Sequence, residues 1–123
     1  MNKWEYLQQQ IEHNGIYRCP PDTHIPAKAP NSVYTWQFYL RRVMYDPKFI
    51  LVAAEQILDK VNLLNKQIGA CEDAGVPLAC AMSMLSGAPM MSIKKSRKAY
   101  GLLNFTEGMI TGDPVVLVDD LAG

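Results

Sequence analysis

The residues best suited to chemistry fall in three segments of the second half of the chain. The last is Val115-Val116-Leu117-Val118-Asp119-Asp120-Leu121-Ala122-Gly123. β-Branched and aliphatic residues run into two adjacent carboxylates and then into small residues. This reads as a buried strand delivering an acidic pair to its carboxyl end, where open α/β sheets bind their ligands. Neighbouring carboxylates accept hydrogen bonds from vicinal hydroxyls such as those of a ribose, and small residues after them let backbone amides approach a phosphate. The second segment is Lys94-Lys95-Ser96-Arg97-Lys98-Ala99-Tyr100-Gly101. Its cations crowd together directly after a predicted strand, and a polyanionic ligand would relieve their repulsion. The third is Gly69-Ala70-Cys71-Glu72-Asp73-Ala74-Gly75-Val76-Pro77, a strand, a small-residue turn and a helix start. The exposed amides and the dipole of that helix favour an anion. Each segment also has an ordinary reading: a capped turn, a solvated basic loop, a plain βα connection.

These residues must be carried by a fold, and the pattern along the chain predicts one. Trp4, Leu7 and Ile11 recur at helical spacing, so residues 4–13 form a short amphipathic helix closed by Asn14-Gly15, the glycine allowing a left-handed cap. Four prolines between residues 18 and 32 make that stretch an extended loop, with His24 alone and solvated in it. Residues 33–43, rich in Tyr, Trp, Phe and Val, suit a strand. Asp46-Pro47 is an N-cap followed by a first-turn proline, opening a helix over 47–63. Gln67–Cys71 is a short buried strand and Glu72–Gly75 a turn. A helix over 76–86 is apolar nearly all round and so is expected to be buried, its methionines filling core space. Strands follow at 90–94 and after the turn Gly112-Asp113-Pro114, with a ribbon-like segment between Gly101 and Gly108. The order implies an α/β fold with a mostly parallel sheet.

Bulk properties narrow the function classes. At 123 residues the chain is a single domain at most. Twelve Lys and Arg balance twelve Asp and Glu, which disfavours nucleic-acid binding by charge alone. Apolar runs are too short to span a bilayer, and no signal peptide opens the chain. Cys19, Cys71 and Cys80 have no zinc-like spacing; Cys71 and Cys80 sit in apolar segments, as reduced core residues of a cytoplasmic protein would.

The order and spacing of the three segments resemble the type I phosphoribosyltransferases, most closely the orotate phosphoribosyltransferase group. There a Gly-x-Glu-x-Gly-like turn and an apolar helix precede an Arg-Lys-x-x-Lys-x-(His/Tyr)-Gly loop. A Glu-Gly step follows, matched here by Glu107-Gly108, then a hydrophobic strand ending in an acidic pair. Tyr34–Arg42 and Asp46-Pro47 look like the family's early strand and helix start. The likeness is weak before residue 30 and good from 67 onward.

The resemblance implies a three-layer α/β/α domain over residues 1–123, with 1–45 as a hood and dimerisation segment and the C-terminal strands missing. It implies phosphoribosyl pyrophosphate as substrate, bound with Mg²⁺ held mainly through that substrate, a pyrimidine base (orotate) as acceptor, pyrophosphate as leaving group, and a homodimer. By resemblance, Lys94, Lys95 and Lys98 contact the pyrophosphate, and Lys98 is the loop lysine that reaches the neighbouring subunit's site. Asp119 and Asp120 hold the ribose hydroxyls, directly or through hydrated Mg²⁺; Glu72, Asp73, Gly75 and Gly123 belong to the turns that cradle the substrate. No residue is assigned as a metal ligand in its own right. Lys94 stands where the family usually has Arg, keeping the charge without the planar fork, and Tyr39 about where it often has Asp. The acidic-pair strand, internal in the family, is expected here to be a sheet edge, and catalysis by this chain alone to be weak or absent. Two other readings follow: a binding protein of the same fold that senses nucleotides or phosphoribosyl pyrophosphate without turnover, and a structural dimerisation domain.

Overall fold

The computed structural model describes residues 1–26, 32–94 and 105–121. Its helices are α1 (Lys3–Asn14), α2 (Arg41–Met44), α3 (Pro47–Leu58) and α4 (Val76–Ser86). Its strands are β1 (Ile16–Arg18), β2 (Ile25–Pro26), β3 (Val33–Tyr34), β4 (Trp36–Phe38), β5 (Gln67–Cys71), β6 (Met90–Ile93), β7 (Thr106–Gly108) and β8 (Val115–Val118). Two small antiparallel ribbons, β1 with β4 and β2 with β3, make up the N-terminal part. The main sheet runs β7-β6-β5-β8. β5 pairs in parallel with both β6 and β8, while β7 returns antiparallel to β6. The architecture is therefore α/β with a mostly parallel sheet, as the sequence implies, and β8 is at the edge of this sheet among the described residues.

Strand alternation decides which face is buried. Ile68, Ala70 and Val118 turn to the core, where they meet Leu78, Ala79 and Met82 of α4 and, beyond it, Ala53 and Ala54 of α3. Gly69 lies on the other face: a Cβ there would meet Ile93 Cδ1 and Val115 Cγ1 at 2.8 Å. Val115 and Leu117 on that face are 40% and 66% exposed, so the helices described cover one side of the sheet.

The local signals explain most boundaries. Asn2 Oδ1 accepts from the Glu5 backbone amide at 2.8 Å while the Asn2 side-chain Nδ2 donates to Glu5 Oε1 at 3.0 Å, an N-cap on α1. Gly15 ends α1 at φ −96°, not in the expected left-handed cap. It suits a close approach, since a Cβ would lie tightly, 3.0 Å from the Ile11 carbonyl oxygen and 3.2 Å from Leu40 Cδ2. Asp46 accepts from the Lys48 amide at 3.0 Å and Pro47 opens α3.

Three readings need correction. α3 stops at Leu58, short of 63; Asn62 Oδ1 accepts from the Leu64 amide, and Leu63 reaches the core from a turn. The strand expected over 33–43 breaks into β3 and β4, and Val43 and Met44 are buried from α2; aromatic propensity is real there, but β4 finds only three partners on β1. α4 is not buried all round: Met82 is 1% exposed, whereas Met84 is 81%.

Gln67, fully buried at the start of β5, is a polar member of this core. Its Nε2 donates to the Asp113 carbonyl oxygen at 2.8 Å and its Oε1 accepts from the Thr111 amide at 3.3 Å. The side chain thus ties the turn before β8 to the central strand. Gln67→Leu is expected to lower stability by roughly 1–2 kcal/mol, the scale of a buried hydrogen-bonded pair lost. A chemical-denaturation midpoint unchanged from the wild type would refute this.

Candidate functional site

β5 and β8 run parallel in a register that pairs Ala70 with Val118, so the turn after β5 and the acidic pair after β8 emerge side by side. Gly75 is where they touch. A Cβ on it would lie 2.5 Å from the Val118 carbonyl oxygen, 2.8 Å from that of Cys71 and 3.0 Å from Asp119 Cα. Its φ is −79°, so glycine is demanded here by close approach alone. Asp119 is exposed and Asp120 half-buried, and the Asp120 amide donates to Asp119 Oδ1 at 2.8 Å. Burial, followed by the hydrogen bond and charge of Asp119, pushes the Asp120 carboxyl above its ordinary value. Burial, with Asp119 adding to it, also raises the Cys71 thiol; Cys71, Cys80 and Cys19 are unpaired and half-buried rather than fully enclosed.

The turn itself offers fewer anion-binding amides than its sequence suggests. The Gly75 amide donates to the Cys71 carbonyl oxygen, the Val76 amide to that of Asp73, and the Glu72 amide to that of Ile93. Pro77 has no amide hydrogen. The peptide between Glu72 and Asp73 is cis, and Asp73 is exposed.

Lys94 has a different setting from the one the basic run suggests. Its Nζ lies 2.9 Å from Glu72 Oε1 and 3.8 Å from Glu107 Oε2, and its side chain is 15% exposed. The chain's own carboxylates therefore relieve its charge. Glu107, on β7, is the site residue whose pairing sequence reasoning missed: the Glu107-Gly108 step was visible, its partner was not. Its register opposite Ser92, two residues before Lys94, is the non-local signal. Lys95, Arg97, Lys98 and Gly123 lie outside the described residues.

The hydrogen bond from Lys94 holds the Glu72 carboxyl below the ordinary value of 4.5, and Ser92 adds to the effect. A carboxylate depressed in the folded state stabilises it fully above the unfolded value and loses that contribution as pH falls through the folded one. The thermal midpoint of the wild type is thus expected to fall more steeply than that of Glu72→Gln as pH drops below about 4.5. Parallel acid limbs in the two proteins would exclude the coupling.

Two cavities flank the sheet. One of about 770 Å³ lies at the amino ends of the strands, lined by Lys66, Pro89 and Asp113 among others, away from the acidic pair. The other, about 710 Å³, runs from Asp119 and Asp120 between α1, α3 and α4, over Leu7, Ile11, Phe49 and Leu78. It is a largely apolar cleft with carboxylates at its mouth.

No family model matches the chain. Among curated proteins it is similar to the orotate phosphoribosyltransferase of Methanocaldococcus jannaschii, 28% identical over 83 residues, 67% of this chain and 47% of that protein. It is similar also to the Caenorhabditis elegans orotate phosphoribosyltransferase, 34% identical over 86 residues, 67% of this chain and 38% of that one. The chain thus spans about half, or less, of the length of the relatives it matches. Among solved structures it shares the fold of Leishmania donovani UMP synthase, with TM-score 0.69 and 21% identity over 99% of this chain and 26% of that one. The Mycobacterium tuberculosis orotate phosphoribosyltransferase gives 0.65 and 17% over 94% and 66%. In sequence the chain is thus similar to orotate phosphoribosyltransferases over about two thirds of its length, and its fold is the one shared by these phosphoribosyltransferase structures.

Proposed function

We propose that this chain binds phosphoribosyl pyrophosphate and takes part in transferring its phosphoribosyl group to a pyrimidine base, orotate, with release of pyrophosphate, as a step of pyrimidine nucleotide synthesis. The observation that carries this reading is the contact of Gly75 with Val118 and Asp119. One ligand bearing both a ribose and a diphosphate could span the turn after β5 and the acidic pair after β8. In this reading Asp119 and Asp120 accept hydrogen bonds from the ribose hydroxyls. The bond from the ribose C1 to a pyrophosphate oxygen breaks while one to a base nitrogen forms. Negative charge grows on the leaving diphosphate, and Lys94, Lys95 and Lys98 are the cations of the chain placed in sequence to meet it.

The donor set suits Mg²⁺. Asp119 and Asp120 offer hard carboxylate oxygens on adjacent residues, which suits an ion held by one or two carboxylates together with waters and substrate oxygens. When bound it would neutralise diphosphate charge. No helix among the described residues is long and apolar enough to cross a membrane. Exposed Tyr34, Trp36 and Phe38 in the N-terminal ribbons support residues 1–45 as a homodimer contact.

A second reading, a phosphoribosyl pyrophosphate-binding regulator without turnover, is favoured by the engagement of Lys94 with Glu72 and Glu107. One experiment separates the two. The thermal midpoint is measured with and without Mg²⁺ and phosphoribosyl pyrophosphate, since a ligand that binds only the folded state raises it. Orotate is then added and pyrophosphate release followed. A shift with release supports transfer, a shift without release supports the regulator, and no shift refutes both.

A further inference from the structure

We propose that Glu72 and Glu107 form a counter-ion latch on Lys94, so that a polyphosphate engages this lysine only by displacing the chain's own carboxylates. The inference rests on the phosphoribosyl pyrophosphate-binding reading above and deepens it, by assigning two residues that set how tightly the diphosphate is held.

The latch is built by three strands. Ser92 and Lys94 are two residues apart and so share a face of β6 and its extension. Glu107 is registered directly opposite Ser92 across the antiparallel β6–β7 pair. On the other side, Cys71 is registered with Ile93 across the parallel β5–β6 pair, which carries Glu72 alongside Lys94. The Glu72 amide donates to the Ile93 carbonyl oxygen at 3.0 Å, and the Lys94 amide to that of Phe105 at 3.0 Å. The backbone therefore holds both neighbours of the lysine. At the side-chain level, Nζ is 2.9 Å from Glu72 and 3.8 Å from Glu107.

Electrostatics gives the arrangement its consequence. The two carboxylates beside the ammonium offset the attraction it would otherwise exert on a diphosphate. The lysine is 15% exposed, while Glu72 and Glu107 are 26% and 38%. The carboxylates are the wetter members, and they lose less when turned out to solvent. An ammonium is a compact charge that can change partners by rotating its donors, whereas a guanidinium commits its planar fork to one. Lysine at this position is thus suited to an exchange of counter-ions.

Inorganic pyrophosphate titrated calorimetrically at low salt tests the latch, with thermal scans confirming that each variant folds. Glu107→Gln and Glu72→Gln keep shape and polarity but remove one charge each. Each is expected to tighten pyrophosphate binding about fivefold, the upper scale of a partly exposed charge contact. The gain is expected to vanish when Lys94→Ala is added. Binding seen only in the Glu72→Gln/Glu107→Gln double variant also supports the latch. Equal or weaker binding in the Gln variants, or a gain that survives Lys94→Ala, overturns it while leaving the binding reading intact. No binding in any variant overturns both.

Discussion

Gly75→Ala is expected to be strongly destabilising. The new Cβ would stand 2.5 Å from the Val118 carbonyl oxygen and 2.8 Å from the Cys71 carbonyl oxygen. Both obstacles are backbone, so no side chain can rotate away. Either the turn lifts off the end of β8, or β8 shifts against β5 and its paired register with Gln67–Ala70 is disturbed. Strain of this kind reaches about 3 kcal/mol, a large share of the total for a small domain and about 10 °C or more in thermal midpoint. The same change removes the contact on which the proposed function rests, so ligand-induced stabilisation is expected to disappear with it. Gly112→Ala is the internal comparison: φ there is +84° with open space around it, so it strains the backbone but leaves Asp119 where it is. If Gly75→Ala melts no lower than Gly112→Ala, the close approach of turn and acidic pair is refuted.

The second large effect has opposite signs on stability and on binding. Burial and the Asp119 carboxylate raise the Asp120 carboxyl above its ordinary 3.8. A carboxyl raised in the folded state holds its proton to higher pH there than in the unfolded chain. Folding stability therefore falls as pH rises from about 3.8 through the folded value, and at neutral pH the ionised group is a penalty on the fold. Asp120→Asn removes that charge and is expected to raise the midpoint of the ligand-free chain at neutral pH. The same substitution replaces a charged acceptor for a ribose hydroxyl with a neutral one and is expected to weaken phosphoribosyl pyrophosphate binding roughly 10- to 100-fold. Thermal scans with and without phosphoribosyl pyrophosphate and Mg²⁺ read both quantities. A lower ligand-free midpoint would show that Asp120 stabilises the fold; an undiminished ligand shift would remove it from the site.

Much of this arrangement is legible residue by residue because it is local. Asp46-Pro47 announces α3, the run Gln67–Cys71 is β5, and Pro77 with Gly87 brackets α4. Each depends on neighbours a few positions away. The acidic pair is legible for the same reason, as an apolar run ending in Asp119-Asp120. What escapes is set by partners distant in sequence. Lys94 reads as one of a crowd of cations until β6 is seen between β5 and β7, with Glu72 and Glu107 on either side. Gly75 reads as a turn glycine until β8 arrives against it. Residues 33–43 have the composition of a strand, but the ladder ends where β1 ends, and α2 then buries Val43 and Met44. Met84 and Met82 are both apolar residues of one helix; packing of α4 on β5 separates them. The cations at 95, 97 and 98, together with Gly123, lie outside the described residues, so the basic loop is read from sequence alone.

Among the described residues β8 pairs with β5 alone, and this bears on how firmly its two carboxylates are held. A strand paired on one side turns every second amide away from its neighbour. In hydrogen-exchange terms such amides are not protected by the ladder, and opening them requires only local fluctuation rather than loss of the whole sheet. β5 anchors β8 from one flank, and Gly75 presses on its end. Among the described residues, the spacing between Asp119, Asp120 and the turn therefore depends on the β5–β8 ladder and on the close approach of Gly75. Any polypeptide or ligand that immobilises the outer flank of Val115–Val118 would sharpen that spacing without touching either carboxylate, converting conformational entropy at the edge into affinity at the site.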